Sequence, residues 1–355
     1  MFYLDTLRVV LTILVVLHHI GQAYGPTGGA WPVQEATRAA VLSPFFTVNR
    51  SFFMSLFFMI SGFLAVGALE RHGFRRFVRS RLVRLGIPVL VFGLIGMVVR
   101  FFFLNEQVSN WTRLFNAGHL WYLEHVLLFS VVYAAWRLLR NRARSTAQAK
   151  PERPVPGLPV TLAALLVVAV LCGLVRIWSP IDRWTNVLGF IATAFADVPR
   201  DLAFFIFGVL AARRGWFERY PTRRGMGWLG VGLAAAAAMY AWRLVPHGGL
   251  ALSDKAFGLV YLAWEELVAF GFCIGLLVAF RQFANRQGRL AGMLAANQYS
   301  VYFWHVGIVV VIQVAVRALS IPPLAKFGLV SLVAVPLVFL WSALMRKIPA
   351  VRAVL

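Results

Sequence analysis

The sequence is poor in cysteine and in acidic residues. Its two cysteines, Cys172 and Cys273, each lie inside an apolar stretch, which argues against a disulfide framework and against a metal site. Asp and Glu together number 13 and charged residues make up 14% of the chain, whereas 60% of the residues are hydrophobic. Soluble globular domains carry about 25% charged residues, so this composition argues against a soluble domain.

The hydrophobic residues fall into repeated blocks, each close to the length of about 20 residues that crosses a bilayer. The first block contains Asp5 and Arg8 and is not followed by a small-residue cleavage site, so we interpret it as a transmembrane helix and not as a signal peptide. We predict an all-α polytopic membrane protein with a single integral-membrane domain over residues 1–355. Its ten predicted transmembrane helices cover residues 5–25, 45–69, 84–104, 119–138, 159–178, 196–212, 227–244, 257–280, 294–316 and 327–345.

The positive charge is concentrated in short clusters between apolar blocks. A net charge of +22 would favour nucleic acid as the partner of a soluble protein, but this distribution is typical of cytoplasmic loops, so we predict no nucleic acid. The positive-inside rule then puts both termini in the cytoplasm. The basic, proline-rich residues 140–156 predict a flexible cytoplasmic linker within the domain. Most of the positive charge lies in residues 71–84, 137–153, 213–224, 281–289 and 346–352.

The first predicted helix, "LDTLRVVLTILVVLHHI", holds several ionisable residues. At 100° per residue, His19 lies about 20° from Arg8 around the helix axis and about 16 Å along it, whereas His18 is turned about 80° away. Ionisable groups at such depth cost roughly 2.5 to 3.5 kcal/mol each and usually face a cavity that they serve. We therefore favour a functional role for Arg8 and His19. The alternative is that Asp5 and Arg8 pair near the interface while the histidines bond neighbouring helices.

Several stretches resemble motifs of the acyltransferase 3 family of integral-membrane enzymes, which acylate sugars, glycans and small molecules outside the cytoplasm. The spacing from Arg8 to His19, preceded by "LD", resembles the N-terminal motif of that family. Further similar stretches are "FFMISGFL" (57–64), a basic loop running into a proline-bearing helix, "FVRSRLVRLGIPVLV" (77–91), and "NQYSVYFWHVGIVV" (297–310). The segment "GHLWYLEHVLLFS" (118–130) looks most like the branch that contains the glucan succinyltransferases.

The resemblance implies acyl transfer from acyl-coenzyme A, carrying acetyl, succinyl or a similar group, to a hydroxyl of a glycan or other acceptor, at a bacterial inner membrane. His19 is then the general base, because free imidazole has a pKa of about 6.5. The donor carries several phosphates and is cytoplasmic, so Arg8 and a group of five arginines are candidates to bind it. Ordinary positive-inside charge must account for part of this group, which consists of Arg75, Arg76, Arg79, Arg81 and Arg84.

Three further residues are weaker candidates. Glu265 and Glu266 are adjacent within an apolar predicted helix, where a carboxylate either orients the histidine, relays protons, or is neutralised by an arginine on another helix. His305 lies in an aromatic-rich late helix, where a hydrogen-bonded packing role is the alternative. Buried charges alone also fit a transporter or flippase of an anionic sugar or lipid, in which the arginines bind substrate and His19 relays protons. The motif resemblance favours the acyltransferase.

Overall fold

The computed structural model describes residues 1–27, 31–103, 115, 117–142, 154–244, 253–286 and 288–355. Its longer helices are α1 (Phe2–Gly21), α2 (Leu42–Arg81), α3 (Ile87–Phe103), α4 (Trp121–Arg142), α5 (Leu158–Arg176), α6 (Val198–Arg214), α8 (Thr222–Leu244), α9 (Asp254–Phe283), α10 (Arg289–Ala315) and α11 (Pro323–Met345). Shorter elements are a π turn (Leu82–Gly86), the antiparallel strands β1 (Trp184–Val187) and β2 (Ile191–Ala194), α7 (Trp216–Arg219) and α12 (Pro349–Val354). The predicted all-α membrane fold is confirmed; the β1–β2 hairpin was not predicted.

Eight segments of the described residues are long and apolar enough to cross a membrane. One of them, Leu42–Val98, has 57 residues, contains the predicted helix 45–69 and overlaps the predicted helix 84–104. The sixth predicted helix, residues 196–212, corresponds to α6, whose 17 residues are shorter than any of the eight segments. Each predicted block therefore overlaps a helix, while the number of crossings and the side of each terminus stay predictions.

The basic residues between the second and third predicted spans are helical, so the expectation of a loop there was wrong. The helix α2 continues to Arg81 and passes directly into the π turn. Within it, Gly73 has a φ of 69°, a left-handed conformation that costs glycine little. Arginine is a good helix former, so the helix resumes after this interruption. In the predicted linker 140–156, residues 143–153 lie outside the described part of the chain.

The chain divides into two compact units. The first consists of Met1–Phe57, Ala163–Ala169 and Tyr220–Arg352. Within it, α1 packs against α9, α10 and α11, and α8 packs along α9. A Cβ added at Gly271 of α9 would lie 2.6 Å from the backbone of Gly232 in α8, so small residues allow this pair of helices to approach closely.

The second unit consists of Phe58–Leu162, Val170–Arg219 and Ala353–Leu355. Its part of α2 meets α6 backbone to backbone, because a Cβ at Gly62 would lie 2.0 Å from the carbonyl oxygen of Phe205 and one at Gly208 would lie 1.9 Å from that of Met59. The two helices therefore pack in close contact at Gly62 and Gly208. The neighbouring Ser61 hydrogen-bonds through its hydroxyl to the Tyr122 hydroxyl at 2.7 Å.

Candidate active site

Three aromatic rings from distant parts of the first unit meet at the end of α1. The His19 ring stacks on the Trp31 indole, with centroids 5.3 Å apart and planes at 28°. On another side, the His305 ring lies with its centroid 5.0 Å from that of His19. Two of the predicted site residues, His19 and His305, are therefore neighbours, while Trp31 was not predicted.

Gln313 holds the Trp31 ring in place. The Trp31 indole N–H donates to Gln313 Oε1 at 2.7 Å, and Gln313 Nε2 donates to the carbonyl oxygen of Ile20 at 3.0 Å. The Ile20 carbonyl is in the last turn of α1 and also accepts from the backbone N–H of Ala23 at 3.4 Å. Gln313 is 1% exposed, so both of its bonds are shielded from water. One side chain of α10 thus joins the end of α1 to the following segment.

A signal for Gln313 was present in the sequence, because an amide inside the apolar run "VGIVVVIQVAV" must find polar partners in the bundle. Nothing in the sequence near Trp31 identified its partner. That residue follows a Gly- and Pro-broken stretch, and only the folded chain brings it to α10.

The protonation pattern of His305 follows from its hydrogen bond. Its Nδ1 lies 2.8 Å from the carbonyl oxygen of Tyr302, and a carbonyl can only accept. The ring proton is therefore on Nδ1, and Nε2 carries the lone pair. His305 is 0% exposed, so its ring orientation is determined by packing and by this bond.

The His18 side chain has different neighbours from that of His19. Its ring centroid lies 5.2 Å from those of Phe46 and Phe53 and 6.3 Å from that of Phe45. All three phenylalanines belong to α2. The two adjacent imidazoles therefore occupy separate environments, one aromatic and apolar, the other beside Trp31 and His305. This separation agrees with the helical geometry, and the catalytic role of His19 stays a prediction.

Among the described residues between α1 and α2 (22–27 and 31–41), Glu35 forms an ion pair with Lys326. Lys326 Nζ lies 2.8 Å from Glu35 Oε1 and also donates to the Arg317 carbonyl oxygen at 3.0 Å. In the same segment, burial raises the pKa of Tyr24 to about 12, with the Glu35 charge adding to the effect. The Tyr24 phenol is therefore neutral at physiological pH. These contacts keep the irregular segment close to His19.

Arg8 lies far from this group, near the start of α1. Its guanidinium is 3.8 Å from the Asp5 carboxylate, and both side chains are partly exposed, at 29% and 39%. Eleven residues of helix separate Arg8 from His19, which corresponds to about 16 Å along the axis. Arg8 therefore does not contact the group around His19.

Glu265 and Glu266 are both 0% exposed and lie in α9, which packs against α1. Adjacent helical residues point about 100° apart, so the two carboxylates face different neighbours. Their predicted roles, orienting the histidine or relaying protons, are not decided by this placement.

The five arginines of the predicted donor site lie in the second unit and differ in exposure. The Arg81 guanidinium stacks on the buried Phe77 ring, 5.1 Å from its centroid. Arg81 is half-buried, whereas Arg75, Arg76, Arg79 and Arg84 are exposed. The π turn at Leu82–Gly86 follows directly. The π turn lies just before Pro88, which has no N–H to donate to the Arg84 carbonyl. Single π turns of this kind are frequent at functional sites.

In the second unit, the segment "LEH" of α4 holds the β1–β2 hairpin. Glu124 Oε2 accepts from the backbone N–H of Ala192 at 3.0 Å, and His125 Nε2 lies 3.3 Å from Thr193 Oγ1. Both α4 side chains are buried. Their contacts give this segment an anchoring role.

Among the described residues, no group of three or more His, Cys, Asp or Glu side chains is arranged to hold a metal ion.

Comparison with known proteins points to one kind of enzyme. A family model described as an acyltransferase domain, of the acyltransferase 3 type, matches residues 1–345. Glucans biosynthesis protein C of Salmonella paratyphi A and that of Salmonella agona are each 26% identical over 187 residues, which is 49% of this chain and 47% of theirs. The Salmonella dublin protein of the same name is 26% identical over 164 residues, 42% of each chain.

The matched region spans about half the length of these relatives. No solved structure matches the chain.

Proposed function

The chain belongs to the acyltransferase 3 family, and we propose that it transfers an acetyl, succinyl or similar acyl group from cytoplasmic acyl-coenzyme A to a hydroxyl at or beyond the outer face of the bacterial inner membrane. The observation that carries the proposal is the meeting of His19, His305 and Trp31 at the end of α1 opposite to Arg8. A base and a donor-binding cation are thus spaced along one helix. The name of the relatives, glucans biosynthesis protein C, supports a glucan as acceptor.

His19 takes the proton from the acceptor hydroxyl in this mechanism. The hydroxyl oxygen attacks the thioester carbonyl carbon, an ester C–O bond forms, and the C–S bond breaks. The proton held by the His19 imidazolium then passes to the departing thiolate of coenzyme A. The same imidazole thus accepts the proton in the first step and donates it in the second, as a general acid–base catalyst does.

Trp31 and His305 support the charge that His19 acquires. A cation over an indole face is stabilised by about 0.5 to 2 kcal/mol, more where water is excluded, and the His19 ring is stacked on Trp31. The lone pair on His305 Nε2 can accept from a protonated ring, and the centroid separation of 5.0 Å brings the two rings within reach of each other. His305 is therefore a positioning residue in this proposal, and a buried carboxylate of Glu265 or Glu266 would further favour the imidazolium.

Donor binding rests on cationic side chains at the predicted cytoplasmic side. Arg8 is partly exposed beside Asp5, and the exposed Arg75, Arg76, Arg79 and Arg84 are accessible to a polyanion. Arg81 is the most constrained of the group, because its guanidinium is stacked on Phe77. A guanidinium held in one orientation loses less entropy on binding phosphate than a mobile one does.

The test is acyl transfer by the purified full-length protein in proteoliposomes. Labelled acetyl- or succinyl-coenzyme A is supplied on one side and a glucan on the other, and labelled ester on the glucan is measured. We expect ester formation with at least one donor, and its loss in the His19→Ala variant. Transport of unmodified glucan without any ester, by protein that is folded and oriented, would contradict the proposal and favour a transporter.

A further inference from the structure

Two arginines, Arg140 and Arg213, converge on one tryptophan at the ends of α4 and α6 in the second unit, and a third, Arg137, adjoins them. The Arg140 guanidinium carbon lies 5.2 Å from the centroid of the Trp136 ring, and that of Arg213 lies 5.9 Å from it. Arg137, one residue after Trp136, is near enough to act electrostatically on Arg213, as Arg140 also is. All three arginines are half-buried. None of the three is among the arginines between Arg75 and Arg84 to which the donor role was given.

The convergence is electrostatically unfavourable without an anion. Among the described residues, none of the three arginines makes an ion pair within 4 Å of a carboxylate. Of the described carboxylates, Glu70 is the one whose charge acts on Arg213, and it is exposed. The positive-inside rule explains why arginines lie at this end of the helices. It does not explain why they gather around a single indole, where like charges repel.

An apolar stripe leads from this group along α4. Leu128, Val132, Trp136 and Leu139 follow one another at helical spacings of three and four residues, and each is between 42% and 65% exposed. Such a stripe on a membrane-spanning helix faces the lipid chains. Trp136 thus borders the apolar stripe on one side and the arginines on the other. Two of these arginines, Arg137 and Arg213, are near enough to act electrostatically on the buried Tyr133.

We propose that Arg137, Arg140 and Arg213 bind the phosphate of an anionic membrane phospholipid, with an acyl chain of that lipid lying along the stripe of Leu128, Val132 and Trp136. Guanidinium groups are suited to phosphate because their N–H donors match its oxygens. The indole holds the guanidiniums in place and provides an apolar surface for the start of the acyl chain. The same phosphate chemistry is present in coenzyme A, but coenzyme A offers nothing to cover the apolar stripe.

The experiment compares the purified full-length protein with its Arg140→Gln and Arg213→Gln variants in mixed micelles. Binding of phosphatidylglycerol, of zwitterionic phosphatidylcholine and of coenzyme A is measured for each by native mass spectrometry and by the ligand-dependent melting temperature. Arg224→Gln is the matched control, since Arg224 is an exposed arginine at the start of α8 and its replacement changes the net charge equally. Trp136→Leu tests the indole while keeping the stripe apolar.

We expect phosphatidylglycerol affinity to fall about fivefold for each arginine removed, to fall in Trp136→Leu, and to be unchanged in Arg224→Gln. Coenzyme A affinity should be the same in all four variants. Should a variant fail to fold, the wild-type protein still tests the idea, because equal affinity for the anionic and the zwitterionic lipid would overturn it. Loss of coenzyme A binding with unchanged lipid binding in either arginine variant would overturn it as well.

Discussion

The imidazole rings of His19 and His305 lie with their centroids 5.0 Å apart, one in the last turn of α1 and the other within α10. The backbone carbonyl of Tyr302 orients His305, and the stacked indole of Trp31 orients His19. This pair is the point at which the proposed chemistry is most directly tested.

Replacing His19 and His18 separately shows which of them is the general base and which only packs against neighbouring side chains. His19→Ala should reduce acyl transfer by about 10² to 10⁴, the usual contribution of a general base. His18→Ala should keep substantial activity, because His18 lies among Phe45, Phe46 and Phe53. Product formation is measured at matched amounts of membrane protein. An active His19→Ala enzyme, or an inactive His18→Ala enzyme, would show that the wrong histidine was chosen.

Arg8→Ala in the same assay should be severely impaired although His19 is intact. Because Arg8 does not contact the histidines, the defect should be in the use of acyl-coenzyme A. A normal KM for the donor in Arg8→Ala would argue against its role.

The link between Trp31 and Gln313 should matter for turnover and not for donor binding. Trp31→Phe keeps a stacking ring but removes the N–H that Gln313 accepts, and Gln313→Leu removes the same bond from the other side. Each should lower kcat about tenfold, the effect of one buried hydrogen bond, with an unchanged KM for the acyl donor. Because Gln313→Leu also removes the bond to the Ile20 carbonyl, the double variant should be no worse than Gln313→Leu alone. Thr37→Ala, in the same segment but exposed, is the control; strictly additive losses would contradict the shared bond.

Arginines of the donor group should affect KM and its dependence on salt. We expect Arg79→Ala or Arg81→Ala to raise the KM for acyl-coenzyme A and to make donor binding less sensitive to ionic strength, because fewer charge pairs are left to screen. Steady-state kinetics at several salt concentrations give both quantities. If every single and paired substitution from Arg75 to Arg84 leaves donor affinity unchanged, these arginines serve topology alone.

The predicted orientation can be tested with two cysteines. Leu188, at the tip of the β1–β2 hairpin, is 76% exposed and should be outside, whereas the exposed Arg223, in the first turn of α8, should be cytoplasmic. In intact cells, an impermeant maleimide should label Leu188→Cys but label Arg223→Cys only after permeabilisation. The native Cys172 and Cys273 are buried, which keeps the background low. The opposite labelling pattern would reverse the side on which the donor binds.

Close contact between α2 and α6 should be intolerant of a single methyl group. A Cβ at Gly208 would lie 1.9 Å from the Met59 carbonyl oxygen, and backbone there cannot easily move. We expect Gly208→Ala to reduce folded protein strongly, as measured by size-exclusion chromatography and melting temperature. Gly227→Ala is the control, since an added Cβ meets no described atom within 4 Å. Equal stability of the two variants would show that α6 shifts without cost.

The sequence alone determined the membrane class, the positions of the helical blocks and the candidacy of Arg8 and His19, because bilayer length and the 3.6-residue helical period act locally along the chain. The same local geometry predicted that His18 and His19 face different ways. Helix continuation through the basic residues was missed, since loops and polar helices share a composition.

Only the tertiary structure brought His305 and Trp31 to His19 and gave Gln313 its two partners. Those contacts join segments far apart in the chain. A local sequence pattern does not predict which polar groups of two different helices will be in contact. The convergence of Arg140 and Arg213 on Trp136 has the same origin: each arginine looks like ordinary positive-inside charge until the packing of α4 and α6 puts both on one ring.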